Sequence, residues 1–68
     1  MRLNAEEMNF IVIFNTESRD KAMQEIVSRI PYIEDKDLEE IAEHVILKLD
    51  RMTDEEYAAI DFDAWREA

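Results

Sequence analysis

His44 is the one histidine in the chain and the side chain that most invites a chemical role. It lies four residues after Glu40 and four residues before Lys48, so a helix would place all three on one face. A carboxylate beside an imidazole can act as an acid–base pair or supply half of a metal site. The di-metal bundle pattern, however, needs Glu three residues before His, and that position is Ile41. The spacing therefore predicts a surface histidine beside a carboxylate.

Other catalytic groupings find no support in the sequence. Ser18 and Ser28 have no histidine near them along the chain, and cysteine is absent, which excludes disulfides and thiolate metal ligands. Glycine is absent too, so the chain has no Gly-rich phosphate loop. We expect no catalytic residue, no metal site and no cofactor, and hence no enzyme.

Carboxylates cluster at the start of the longest predicted helix. A calcium loop needs spaced oxygen ligands around a tight turn, normally with Gly at its centre, and that Gly is missing. The cluster is interpreted either as a solvated helix face, which is the favoured alternative, or as an electrostatic contact with a basic partner. The candidate contacts are Glu39, Glu40 and Glu43, preceded by Glu34, Asp35 and Asp37.

Six aromatic side chains are many for 68 residues, and most of them should be core. Phe62 and Trp65 lie near the C-terminus among acidic residues, and aromatic side chains dominate interface hot spots. They are the best candidates for an exposed anchor, although packing in the core or across the bundle end is favoured. The complete set of candidate partner-binding residues is Glu39, Glu40, Glu43, Phe62 and Trp65.

The formal charge is −10, from 18 acidic and 8 basic residues. Binding to a phosphate backbone needs a cluster of Lys and Arg, and none is visible, so we expect no direct nucleic-acid binding. The acidic excess favours a protein partner with a basic surface. The longest apolar run, Phe10 to Phe14, is far too short for a membrane span, and no signal peptide is apparent. We expect no membrane association and a cytoplasmic protein.

The composition predicts an all-α fold in a single domain over residues 1–68. With no glycine and only three asparagines, the chain lacks the residues that hairpin turns need. Most of its residues are good helix formers. A chain this short is marginally stable without disulfides or bound metals. It therefore needs stable helices or self-association, and a homodimer is one form that self-association could take. We predict a bundle of three main helices with a short fourth.

The longest helix is predicted from Asp35 to Met52, and the other elements need it to pack against. Asp35 is a suitable N-cap, and Lys48 and Arg51 suit the negative end of the helix dipole. Apolar residues recur at steps of three and four and form one stripe. They are Leu38, Ile41, Ala42, Val45, Leu49 and Met52.

The first helix is predicted from Ala5 to Phe14, because Asn4 and Glu7 form a capping box that Leu3 and Met8 flank as a hydrophobic staple. The run from residue 10 to residue 14 could be a strand on propensity alone, but no second strand exists to pair with it. Five consecutive apolar residues also cover more than one helix face. Either this helix is buried on most sides, or part of it is an interface.

The second helix follows Asn15, which is expected to take the left-handed conformation at the first helix's exit. Thr16 or Ser18 caps it, and Pro31 stops it near Ile30. Its apolar stripe comprises Ala22, Met23, Ile26, Val27 and Ile30.

Beyond the second helix, Tyr32 and Ile33 are expected to cover the bundle end. Thr53 and Glu56 form another capping box, flanked by Met52 and Tyr57 as its staple. The box predicts a short helix over residues 54–60. The tail is expected either to form one more turn or to stay mobile.

Three stretches resemble the transposon-transfer assisting protein family of bacterial conjugative transposons. They run from Asn9 to Arg19, from Ile30 to Ile33 and from Lys48 to Tyr57, and the similarity extends from about residue 5 to residue 62. The resemblance implies an accessory role in the transfer of a mobile element between cells. It implies no catalytic residues.

The leading hypothesis is therefore a non-enzymatic accessory protein that assists transfer of a conjugative transposon through protein–protein interaction. The alternative is an acidic regulator, a DNA mimic or antirepressor, that acts on a DNA-binding protein.

Overall fold

The computed structural model describes residues 2–14 and 16–66. Its longest helix is α3, Lys36–Arg51. Asp35 caps it, since its carboxylate accepts hydrogen bonds from the backbone N–H groups of Asp37 and Leu38, at 2.8 and 3.3 Å. Ala42, Val45 and Leu49 are fully buried, which confirms the predicted stripe over most of its length. At the N-terminal end the stripe leaves the core, and Leu38 is 40% exposed.

Helix α1, Ala5–Ile11, begins with the predicted capping box. Asn4 accepts from the backbone N–H of Glu7 at 2.9 Å, and the Glu7 carboxylate accepts from the backbone N–H of Asn4 at 2.8 Å. The helix ends three residues earlier than predicted. Past Ile11 the chain tightens into i→i−3 bonds, from Ile13 N–H to the Phe10 carbonyl at 3.2 Å among them. The β-branched residues after Ile11 have low helix propensity, which favours this early end.

Helix α2, Arg19–Arg29, is capped by Ser18, one of the two predicted candidates, whose hydroxyl accepts from the backbone N–H of Lys21. Its buried residues are Ala22 and Ile26, whereas Val27, predicted on the apolar stripe, is 52% exposed. The stripe is therefore narrower than predicted. The predicted left-handed exit at Asn15 lies outside the described residues.

A 3₁₀ turn over Ile30–Tyr32 follows α2. Side chains three apart eclipse one another in a 3₁₀ turn, so Ile30 and Ile33 both face the core and are partly buried. Tyr32 lies on the other side and is 81% exposed. The prediction that Tyr32 covers the bundle end is wrong, and the turn geometry is the reason.

The C-terminal part contains two short helices, α4, Asp54–Ala58, and α5, Asp63–Arg66. The Thr53 hydroxyl and the Glu56 carboxylate form the predicted capping box, and helix α4 ends two residues before the predicted limit. The tail forms a helical turn as far as residue 66. Its last two residues, part of the segment for which mobility was an alternative, lie outside the described residues.

The core forms around α3, which packs against both α1 and α2. Side chains from α4 and from the segment before α5 close it from the C-terminal side. The described residues contain no strand, so the all-α prediction is confirmed. The buried apolar residues are Met8, Phe10, Ile11, Ala22, Ile26, Ala42, Val45, Leu49, Met52, Tyr57 and Phe62.

Among the helices that the structure describes, none combines the length and the hydropathy that a membrane crossing requires.

Candidate interaction surface

His44 is exposed on α3 and lines a shallow groove with Glu40, Asp37 and residues at the start of α1. Within residues 2–14 and 16–66, no three His, Asp or Glu side chains are grouped so that they could hold a metal ion. The arrangement is that of a surface histidine in a groove that carboxylates also line.

The predicted acidic contacts lie where the sequence places them, on one helix. Glu40 and Glu43 are exposed, and Glu39 is half-buried. Glu40 and Glu43 therefore contribute negative charge to the surface of α3.

The two aromatic candidates differ from each other. Phe62 is only 7% exposed and packs against Tyr57, with the ring centroids 5.2 Å apart and the planes tilted by 47°. It is a core residue, which agrees with the favoured interpretation and not with the alternative of an exposed anchor at Phe62. The cause is the turn between α4 and α5, which folds the segment back onto the core.

Trp65 is half-buried and lines an open groove of about 630 Å³ beside Leu3, Met8 and Met52. Glu40 lines a different groove. The structure therefore does not bring the acidic and aromatic candidates together in one groove.

Three basic side chains form hydrogen bonds that join distant elements. Lys48 on α3 donates from Nζ to the Glu7 carboxylate at 2.6 Å and to the Arg2 carbonyl at 3.1 Å. Glu7 is only 2% exposed, so this ion pair is largely shielded from water. It fixes the start of α1 against α3.

Arg19 connects α2 to the junction of α3 and α4. Its Nε donates to the Asp54 carboxylate at 2.8 Å, and a second nitrogen donates to the Leu49 carbonyl at 2.9 Å. That carbonyl belongs to the last turn of α3 and also accepts from the backbone N–H of Met52, at 3.3 Å. The hydrogen bond to Asp54 raises the pKa of Arg19 above its ordinary value, so the guanidinium stays charged.

Arg66 attaches α5 to the segment between α1 and α2. Its guanidinium donates to the Val12 and Phe14 carbonyls at 3.4 and 3.2 Å and to the Thr16 hydroxyl at 2.5 Å. The Tyr57 hydroxyl donates to the Thr16 carbonyl at 2.9 Å. Burial raises the pKa of Tyr57 to about 12, against a lowering by the Arg66 charge.

Each of these three cations is paired with a carboxylate, Glu7, Asp54 or Asp63. Lys48, Arg19 and Arg66 are three of only eight basic residues, against 18 acidic ones. Because each of the three pairs with one carboxylate, the remaining charged groups keep the net charge of −10, and the outer surface is strongly acidic.

An apolar groove lies on the face formed by the end of α1, the 3₁₀ turn and the start of α3, with a volume of about 260 Å³. Ile13 is 75% exposed and Tyr32 81% exposed, and both lie in it. Glu25 and Arg29 of α2 complete its wall. We call this surface the apolar groove and define it by its six apolar residues, Phe10, Ile13, Phe14, Tyr32, Ile33 and Leu38.

The apolar groove was not predicted as a site, although one signal pointed to it. The five apolar residues after Asn9 cover more than one helix face, and an interface was one of the two explanations. The rings of Phe10 and Phe14 pack together, with centroids 5.1 Å apart, while Ile13 between them faces outward. Which of the five residues is exposed depends on how the chain bends after Ile11.

The chain matches a protein-family model over residues 3–64, and the family is described as "Putative transposon-transfer assisting protein". The chain belongs to this family. The match spans the apolar groove, the acidic residues of α3 and Phe62, and it ends one residue before Trp65. The family description states an assisting role in transposon transfer and names no enzymatic activity. No curated protein and no solved structure matches the chain.

Proposed function

We propose that this chain is a non-enzymatic, cytoplasmic accessory protein of a bacterial conjugative transposon and assists transfer by binding another protein. The family match over residues 3–64 is the observation that carries the proposal. The acidic surface supports a basic partner, because complementary charge accelerates encounter and helps to exclude wrong partners.

Within this proposal, the acidic residues of α3 form the charged contact. Glu40 and Glu43 are exposed, and Glu39 lies at their edge. Trp65 borders the groove beside α1 and is the one aromatic candidate that a partner can reach, since Phe62 is buried. Exposed charges of this kind act mainly on association rate and on salt dependence.

A transfer assay tests the role. The gene is deleted from the element, and transfer frequency is measured with the gene supplied in trans. We expect the deletion to lower transfer and the wild-type gene to restore it, because a factor that assists transfer is needed at that step. Unchanged transfer after deletion would contradict the proposal.

The proposed contact through Glu39, Glu40 and Glu43, which we call the acidic face, needs a charge-matched control. The variant Glu39→Gln/Glu40→Gln/Glu43→Gln should complement poorly. The variant Glu17→Gln/Asp20→Asn/Glu55→Gln removes the same charge from exposed positions outside α3 and should complement fully. Equal complementation by both would remove the acidic face from the proposal and leave the accessory role standing.

The same negative charge favours a second candidate, an acidic regulator that acts as a DNA mimic or antirepressor on a DNA-binding protein. A mobility-shift assay with the element's own repressor and operator separates the two. Release of the repressor by this chain would support the regulator, and unchanged retardation would exclude it.

A further inference from the structure

We infer that α5 docks and undocks as a unit, and that its docking is coupled through Arg66 to the end of α1. In the docked state, which the structure shows, α5 forms part of the wall of the groove beside Met8 and Met52. In the undocked state that wall is missing and the end of α1 loses a hydrogen-bond donor. The inference concerns the chain itself and does not depend on the proposed function.

Little apolar contact holds α5 in place. It has four residues, too few for a stable helix in isolation. Trp65 packs against the core and is half-buried, while the other three residues of α5 are exposed. Phe62, just before α5, is by contrast only 7% exposed and packs against Tyr57. The boundary between the fixed core and the detachable segment therefore lies directly after Phe62.

Arg66 attaches α5 to the rest of the chain by hydrogen bonds. Its guanidinium donates to the Val12 and Phe14 carbonyls and to the Thr16 hydroxyl. The Arg66 side chain is 38% exposed, and its ion pair with Asp63 lies within α5 and joins it to no other element. A segment with few buried contacts and with hydrogen bonds open to water can detach while the core stays folded.

The same hydrogen bonds cap α1. Helix α1 has no basic residue in its last turn, and Val12 is its C-cap residue. An arginine near a helix C-terminus hydrogen-bonds the last carbonyls and interacts favourably with the helix dipole. Arg66 supplies this group from 54 residues away. Docking of α5 and an ordered end of α1 therefore stabilise each other.

The coupling connects two grooves on the surface. The groove of which α5 forms part of the wall holds about 630 Å³. Ile13 and Phe14, which follow α1, line the apolar groove. A molecule that displaces α5 also removes Arg66 from the end of α1 and so acts on the apolar groove. Because coupling between sites is reciprocal, a molecule in the apolar groove acts on the docking of α5 in turn.

Two reporters in the full chain follow the two ends of this coupling. The chain has a single tryptophan, Trp65, so tryptophan emission reports the docking of α5. The backbone N–H groups of Ile13 and Phe14 donate to the Phe10 and Ile11 carbonyls, at 3.2 and 3.0 Å. Their hydrogen-exchange rates, measured by NMR, report the end of α1. Far-UV circular dichroism reports the helices as a whole.

The variant Arg66→Met removes the attachment, and Arg51→Met removes the same charge from an exposed position on α3. We expect Arg66→Met to shift Trp65 emission to longer wavelength. We expect it also to speed exchange at Ile13 and Phe14 at least about tenfold, the factor that loss of one charged hydrogen bond brings. Its circular dichroism should match that of the wild type, and Arg51→Met should change neither reporter.

Urea titration of the wild-type chain is the second measurement. We expect Trp65 emission to change at lower urea than circular dichroism does, because α5 detaches before the core unfolds. Coincident transitions would show that α5 belongs to one cooperative unit and would overturn the inference. It would equally be overturned if Arg66→Met changed only one reporter or neither, if Arg66→Met lost helical signal, or if Arg51→Met produced the same changes.

Discussion

Glu7 has two partners from different parts of the chain. Its carboxylate accepts from the Asn4 backbone N–H, which caps α1, and from Lys48 Nζ, which attaches α1 to α3. The carboxylate is nearly inaccessible to water, so the loss of its charge would leave Lys48 partly buried without a counter-charge.

We expect Glu7→Gln to lower the free energy of unfolding by about 2 kcal/mol, because a charged hydrogen-bond partner is lost while side-chain size is retained. Urea denaturation measures this change. Lys21→Met, which removes an exposed pair with Glu17, should cost less than about 0.5 kcal/mol.

A double variant supplies the second check on this ion pair. Glu7→Gln/Lys48→Met should cost less than the sum of the two single changes, since the pair is removed together. Strict additivity would mean that the two side chains are not coupled.

The burial of Tyr57 predicts how the free energy of unfolding changes with pH in the alkaline range. Burial raises its pKa in the folded state to about 12, above the ordinary value of 10, so the folded chain holds this proton longer than the unfolded chain does. The stability that the protonated Tyr57 side chain contributes is fully present below about pH 10 and is lost as the pH rises from there towards 12.

Denaturation between neutral pH and pH 11 checks this expectation with Tyr57→Phe as the comparison. The variant lacks the hydrogen bond to the Thr16 carbonyl and should be less stable at neutral pH by about 1 kcal/mol. The difference between the two proteins should shrink above about pH 10. A constant difference over the whole range would contradict the assignment.

At the scale of elements, α3 is the helix against which α1 and α2 both pack. Its two faces differ within two residues, since Leu49 is fully buried and Leu47 is 45% exposed. The short elements depend on this helix, because α4 and α5 have too few residues to be stable alone.

The contrast between these two leucines gives a prediction with a control on the same helix. Leu49→Ala should cost about 2–5 kcal/mol through lost burial and a cavity, and in a domain this small it could unfold the chain. Leu47→Ala keeps helix propensity and should cost less than about 1 kcal/mol. Thermal unfolding followed by circular dichroism measures both, and similar costs would place Leu49 outside the core.

At the scale of the whole molecule, acidic residues outnumber basic ones by 18 to 8, and the surface is strongly acidic. Three of the eight basic residues join elements to one another, and the acidic residues of α3 and of the segment before it face solvent. A surface of this kind repels polyanions and attracts basic proteins.

We therefore expect no retardation of duplex DNA by this chain in a mobility-shift assay, even at low salt, where binding to phosphates is strongest. A basic DNA-binding protein run in parallel confirms that the assay detects binding. Retardation that disappears as salt is raised would reveal a phosphate-binding surface and contradict this expectation.

The sequence by itself determined the helices and most of their ends. The caps at Asn4, Asp35 and Thr53 depend on hydrogen bonds between residues two or three apart, and the stripe on α3 depends on spacings of three and four. Interactions this local are read from neighbouring residues alone. The early end of α1 is the exception, because the β-branched residues after Ile11 lower helix propensity without fixing the residue at which the helix stops.

Only the tertiary structure decided which side chains meet across the fold. Lys48 and Glu7 are 41 residues apart, and Arg66 and Val12 are 54 apart, so no local pattern pairs them. The burial of Phe62 and the exposure of Ile13 and Tyr32 follow from how the turns direct the chain. The candidate surface could not be predicted for the same physical reason: burial depends on contacts between distant segments, whereas helix formation depends on near neighbours.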